Sequence, residues 1–216
     1  MAGAVVLLSG GLDSAVNLAA AAQVGPVLGA ITFDYGQLAA VREMAAAAAM
    51  ANRYGIWHRR LTVPWLTSDV SALTNPRAAM PEPEAGSLDD FAATSLSAAA
   101  VWIPNRNGVF INIAASLAEQ EGADQVVAGF NAEEAVTFPD NSADYVEAAN
   151  EALAFSTQGR VRVVCHTLEL DKVEIVRLGR WLKAPLDLVW ACYRGGEVMC
   201  GRCESCRRLA RAYAQA

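Results

Sequence analysis

The chemistry in this chain gathers first around a short string, Ser9-Gly10-Gly11-Leu12-Asp13-Ser14, between the apolar run Ala4-Val5-Val6-Leu7-Leu8 and a helical pattern. Two adjacent glycines let a backbone pass close to a ligand and aim successive N–H groups at one point. A helix starting there adds partial positive charge, so the turn is a cradle for an anion such as phosphate. Ser9 and Ser14 add hydroxyl donors, and Ser14 is placed to serve as the helix N-cap. Asp13 is the odd member. A carboxylate repels phosphate unless a cation stands between them, so the string points to a nucleotide carried with Mg²⁺. No Gly-Lys-Ser/Thr follows, which excludes a Walker A loop, and the third glycine of the dinucleotide fingerprint is missing.

A second cluster lies near the other end. Cys192, Cys200, Cys203 and Cys206 form two overlapping C-x-x-C steps plus one further thiol, the spacing of a tetrahedral zinc site. Gly201 eases the turn between Cys200 and Cys203, and Arg194, Arg202, Arg207 and Arg208 stand near enough in sequence to offset four thiolates. Four protein ligands leave no open position, so such a Zn²⁺ holds structure and does no catalysis. An iron–sulfur cluster suits the same ligands, and metal-free thiols are a third reading. A disulfide pair fits a cytosolic chain poorly. Trp190 and Tyr193 flank Cys192 and either pack this knob or line a pocket, while Cys165 reads as a core residue.

The elements that must position these groups alternate along the chain. Apolar runs predict strands over 4–8, 27–33, 57–62, 125–129 and 161–165; helical periodicity predicts helices over 14–24, 41–54, 108–121, 143–155 and 172–181. Such alternation reads as α/β, a parallel sheet with helices on both faces and ligands at the carboxyl ends of its strands. With 216 residues, the chain fits one domain, 1–216, whose last part, 190–216, carries the cysteine knob. Residues 64–97 break the pattern: rich in Pro, Ser, Thr and acids, they read as a mobile lid over the site or a solvated insertion. His58 and His166 lie on strand patterns and read as structural.

Composition narrows the function. The chain is 54% hydrophobic and 19% charged, with no apolar stretch long enough to span a bilayer and no basic region before its first apolar run, so it is expected in the cytoplasm. A net charge of −6 sets up no field favouring nucleic acid, although Arg202, Arg207 and Arg208 are close in sequence.

The Ser9–Ser14 string resembles the SGGxDS loop of the PP-loop ATP pyrophosphatases, which cleave ATP between its α and β phosphates. Further segments narrow the resemblance: Thr32-Phe33-Asp34-Tyr35-Gly36-Gln37, Ile103-Pro104-Asn105-Arg106-Asn107, Gly129-Phe130-Asn131-Ala132-Glu133-Glu134, Phe138-Pro139-Asp140, Lys172-Val173-Glu174-Ile175, and Cys192-Tyr193-Arg194-Gly195-Gly196 leading into Cys200-Gly201-Arg202-Cys203-Glu204-Ser205-Cys206. Together, over residues 4–208, they are similar to the nitrile-forming 7-cyano-7-deazaguanine synthase family of queuosine biosynthesis. The chain departs from that family's usual pattern at Leu38, where a basic residue is common, and at Asn141-Ser142, where Cys-Arg is frequent.

The resemblance implies a doubly wound domain of the adenine nucleotide alpha hydrolase-like type, one structural Zn²⁺ and a homodimer. It implies conversion of 7-carboxy-7-deazaguanine, ammonia and ATP to the nitrile, with Mg²⁺, and leaves open whether AMP or ADP departs. On its motifs, Leu8, Ser9, Gly10, Gly11, Leu12, Asp13, Ser14 and Asp34 would hold the nucleotide. Asp13, Lys172 and Arg106 would be catalytic, and Tyr35, Gln37, Asn107, Glu133 and Asp140 would meet the substrate. Cys192, Cys200, Cys203 and Cys206 would hold the metal. The alternatives are another PP-loop enzyme (a tRNA-modifying sulfurtransferase, or an offshoot joining a deazaguanine to another partner) and a non-catalytic ATP-sensing module.

Overall fold

The computed structural model describes residues 3–216. Five strands, β1 (Ala4–Leu7), β2 (Val27–Asp34), β3 (Trp57–Thr62), β4 (Gln125–Val127) and β5 (Arg162–Val164), form one parallel sheet in the order β3-β2-β1-β4-β5. Every predicted strand is present, within a residue or two of its expected ends. The chain steps from β1 outward to β2 and β3, then returns to build β4 and β5 on the other side. That reversal opens a crevice at the carboxyl ends of β1 and β4, where doubly wound sheets bind ligands.

Alternation along the buried strands feeds two cores. Val5 of β1, Ile31 and Phe33 of β2 and Val126 of β4 face α4 (Arg106–Gln120) and α6 (Ala143–Ser156), which contribute Ile111, Ala114, Ala115, Ala118 and Leu153. Ala4, Val6, Leu8, Ala30 and Val127 face the other way, onto α1 (Leu12–Val24) and α2 (Ala40–Tyr54) through Ala15, Leu18, Ala47 and Met50. Each fully buried Val or Leu in these layers contributes about 1.5–3 kcal/mol. A further layer joins α1 to α7 (Lys172–Leu182) and α8 (Glu204–Gln215) through Leu12, Val16, Ile175, Val176, Leu209 and Ala212.

Two local expectations are corrected. Helix α1 begins at Leu12 with Gly11 as its N-cap, so Ser14 lies inside the first turn and its hydroxyl donates to the Gly11 carbonyl at 3.0 Å. The stretch 64–97 is not aperiodic throughout, because α3 (Phe91–Ala100) runs through its end, capped where the Asp90 side chain accepts the Ala93 N–H at 2.8 Å. That segment is stitched down: Leu38 N–H donates to the Leu73 carbonyl, Ala72 N–H to that of Ala100, and Glu204 N–H to that of Pro81. The short α5 (Ala132–Ala135) and α8 also lay outside the predicted helices. Among the described residues no helix is long and apolar enough to cross a membrane.

Candidate active site

At the carboxyl end of β1 the chain turns sharply at Gly10, whose φ of 83° lies where L side chains rarely go. A side chain there would also strike the Glu43 carbonyl and the Ala46 side chain. The turn is tied to itself: Gly11 N–H donates to Ser9 Oγ at 3.2 Å, and Ser9 Oγ to Ser14 Oγ at 3.1 Å. Beside it opens a cavity of about 260 Å³, lined among others by Leu8, Ser9, Gly11, Leu12, Asp13, Ser14, Tyr35, Gln37, Arg106, Asn107, Glu133 and Lys172. Those twelve expected residues therefore share one site, though they come from five stretches of chain.

Asp13 and Lys172, 159 residues apart, meet on its wall. The Lys172 ammonium lies 2.6 Å from Asp13 Oδ2 and 2.7 Å from Glu134 Oε1. Burial alone would push the Lys172 pKa down, but Asp13 and Glu134 overcome it and hold the amine charged well beyond its usual range. Burial raises the Asp13 carboxyl, with Lys172 pulling the other way. Burial also opposes ionisation of Glu134, yet Lys172 prevails and keeps that carboxyl below its ordinary value. Asp13 Oδ1 is buried with no hydrogen-bond partner. An unpaired carboxylate oxygen beside a glycine anion cradle fits a divalent cation that accompanies a polyphosphate.

Part of the cavity lining is aromatic and basic. Phe33 and Phe110 stack with centroids 4.0 Å apart, and Arg106 Nη1 donates to the Tyr35 hydroxyl at 3.4 Å. Gln37 is already committed. Its amide donates to the Phe33 carbonyl and to Glu43 Oε2, and its oxygen accepts the Tyr35 N–H. Asn107 donates to the Asp140 carbonyl at 3.4 Å. Gly10, Asp34 and Asp140 do not line the cavity; the Asp34 carboxylate accepts the Gly36 N–H and shapes the turn after β2. Glu133 lines it with both oxygens engaged, one by Lys172 N–H and the other by Arg208 and Arg211.

Residues that sequence reasoning did not place in the site also converge here. Glu43, Phe110, Glu134 and Glu204 line the cavity. Asn17 supports it from below: its amide donates to the Asp13 carbonyl and to Thr167, and its oxygen accepts the His166 N–H. Glu134 lay within a motif and so carried a signal; Asn17 and Glu43, inside alanine-rich helical runs, carried none.

The four cysteines of the knob bring their sulfurs within 4.8 Å of one another. A zinc ion with four bonds of about 2.3 Å spaces its sulfurs by about 3.8 Å, so this donor set fits a tetrahedral metal. The Cys200 and Cys206 sulfurs, 3.9 Å apart, are near that spacing already, and all five cysteines are free thiols. Gly201 makes the turn with φ of 69°. The arginines are not all spent on sulfur charge: Arg194 pairs with Glu82, and Arg208 turns away to Glu133 and Glu204. Trp190 and Tyr193 pack the cluster and line the cavity at once, so both expectations for them hold. Trp190 N–H donates to the Gly10 carbonyl at 2.9 Å, joining knob to glycine turn.

The chain is similar in sequence to known proteins over nearly all its length. A family model described as "Queuosine biosynthesis protein QueC" matches residues 3–216. The 7-cyano-7-deazaguanine synthase of Desulforudis audaxviator is 54% identical over 209 residues, covering 96% of this chain and 94% of its own. That of Pelotomaculum thermopropionicum is 54% identical over 209 residues, 96% of this chain and 95% of the other. The synthase of Methanosarcina mazei is 46% identical over 214 residues, 97% and 93% of the two chains.

Proposed function

The chain belongs to the queuosine biosynthesis protein QueC family, and from that premise we propose that it is an ATP-dependent ligase converting 7-carboxy-7-deazaguanine and ammonia to 7-cyano-7-deazaguanine. The observation that carries the reading is the charged Lys172 ammonium between Asp13 and Glu134, in a cavity that opens beside a glycine anion cradle.

A carboxylate is a poor electrophile. Its oxygen first attacks a phosphorus of ATP and so becomes part of a leaving group. Ammonia then attacks the carbon, the phosphorylated oxygen departs, and an amide is left. The amide oxygen is activated in the same way by a second ATP; both N–H protons and that oxygen are lost, leaving the nitrile. Backbone N–H groups of the Ser9–Ser14 turn bind the phosphates, and the Ser9 and Ser14 hydroxyls join them by exchanging their bonds to Ser14 Oγ and the Gly11 carbonyl for phosphate oxygens. Lys172 neutralises charge that grows on them during transfer, and its raised pKa keeps it a cation throughout. Arg106, in the chamber with Tyr35, pairs with the substrate carboxylate or a phosphate. The stacked Phe33 and Phe110 offer an apolar wall to a flat heterocycle. Asp13, through its unpaired oxygen, would hold Mg²⁺, which supplies charge neutralisation at the phosphates. Cys192, Cys200, Cys203 and Cys206 would hold one structural Zn²⁺.

The enzyme works in the cytoplasm as a homodimer. The large apolar side chains of Trp65, Val70, Phe91 and Leu96, exposed along one segment, support a second copy covering them. Sedimentation at twice 22.9 kDa checks it, and a monomer at micromolar concentration refutes it.

The reaction itself is tested by incubating the protein with ATP, ammonium and 7-carboxy-7-deazaguanine and following products by mass spectrometry. Nitrile is the expected product. Nucleotide binding without turnover would instead mark a sensing module.

A further inference from the structure

Lys172 is the first residue of α7, where the helix dipole opposes a cation. A buried lysine is held in that place only by the acids around it. Adjacent residues of α5 grip its two ends. Glu134 Oε1 takes the ammonium, and Glu133 Oε1 accepts the backbone N–H at 2.9 Å, an orphan donor at a helix head. The second oxygen of Glu133 accepts from Arg208 Nη1 at 2.7 Å and Arg211 Nη2 at 2.6 Å, both on α8. The side chains of Glu133, Arg208 and Arg211 are 15%, 11% and 19% exposed, so solvent screens this network little.

Helix α8 starts in the sulfur cluster. Cys203 is its N-cap, Cys206 lies in its first turn, and Glu204 between them takes Arg208 at 2.9 Å. The head of α8 is therefore set where the four sulfurs meet, Leu209 and Ala212 seat the rest of it against α1 and α7, and its arginines carry the position of that head to Glu133.

We propose that Glu133 is a positioning residue that couples the cysteine knob to the phosphate site: the sulfur cluster fixes α8, Arg208 and Arg211 fix the Glu133 carboxylate, and that carboxylate fixes the head of α7 and with it Lys172. The consequence for nucleotide rests on the ligase reading of the cavity; the mechanical route does not.

Amide hydrogen exchange separates the two. It is measured on the full chain, zinc-loaded and after zinc removal with a thiol reagent and chelator, for the wild type and Glu133→Gln. Zinc content and binding of a non-hydrolysable ATP analogue are read in parallel. In the wild type, zinc removal speeds exchange at Lys172 and Glu174 about tenfold and weakens analogue binding by a similar factor, while β1 stays protected. Glu133→Gln keeps its zinc, exchanges fast at those amides from the start, and responds to zinc removal by less than about twofold. Arg211→Gln, a milder change that removes one of the two grips, falls between. Wild-type protection at Lys172 in Glu133→Gln overturns the coupling. So does an equal response of both proteins to zinc removal, or a response that spreads into β1. If α7 responds as expected and no analogue binds, the coupling stands and the nucleotide reading falls.

Discussion

Asp13 has one oxygen on Lys172 and one on nothing, and its pKa follows from that asymmetry. Burial raises the carboxyl and Lys172 only partly offsets it, so protonation sets in at a higher pH than for an ordinary carboxylate, near 3.9. Activity is then lost as pH falls through that raised value, because protonated Asp13 gives up both the lysine and any cation. Lys172, held charged beyond its usual range, sets no alkaline limb of its own. Stability runs the other way at the two acids. The Glu134 pairing stabilises the fold above the ordinary carboxylate value and is lost as pH falls through its depressed pKa. Ionised Asp13 costs stability above its unfolded value, a cost relieved as pH falls through its raised one. A pH profile of kcat/KM should thus show one acid limb, which Asp13→Asn removes along with about 10²–10³-fold of kcat while the thermal midpoint is kept or rises. An Asp13→Asn protein that keeps wild-type turnover would break the assignment. Asp13 and Lys172 were legible in the sequence because each sits where a strand end or helix start announces itself. Asn17, Glu43 and Phe110 were not, since nothing in an alanine-rich or apolar helix tells which face meets a cavity built from four other stretches.

The same limit appears among the elements. Strands were legible from their β-branched runs, and α1, α2, α4, α6 and α7 from their periodicity. Helix α3 hid because Phe91-Ala92-Ala93-Thr94-Ser95-Leu96 has small residues on every face and follows a proline-rich approach, and α8 hid behind the cysteines that begin it. Where elements touch at backbone distance, the outcome of substitution is clear. A Cβ at Gly129, just past β4, would lie 2.9 Å from Ser14 N and 3.1 Å from the Asp13 carbonyl carbon. Both neighbours are main chain at the head of α1, so the helix must retreat. Gly129→Ala should cost about 1–3 kcal/mol of stability, read as a lowered denaturation midpoint. It should also cost about 10²-fold in kcat/KM, since Asp13 moves with the helix. At the knob, Cys203 is both a sulfur donor and the cap of α8. Cys203→Ser should lose its metal by elemental analysis and lower the thermal midpoint; retention of a full zinc equivalent would refute the donor set.

Over the whole molecule, a net charge of −6 and a pI near 5.0 decide which partners the surface can meet. A polyanion is repelled at long range, yet ATP is itself an anion, so the attraction that captures it must be local. On the ligase reading, the glycine turn, the head of α1 and Lys172 would supply it within a single crevice. Of the arginines that looked available to a tRNA in sequence, Arg208 is shielded against Glu133 and Glu204, Arg202 stands 3.9 Å from Glu82, and Arg207 donates to the Arg202 carbonyl. A phosphate backbone needs several free cations in a row to release counterions, and such contacts make binding fall steeply with salt. On the ligase reading, a free heterocycle and not a nucleotide within RNA is the expected substrate. Fluorescence anisotropy with labelled tRNA at low and physiological salt should show no binding at micromolar protein, and excess tRNA should leave nitrile formation unchanged. Tight, salt-sensitive tRNA binding would move the chain toward the sulfurtransferase reading, because only a macromolecular substrate would require it.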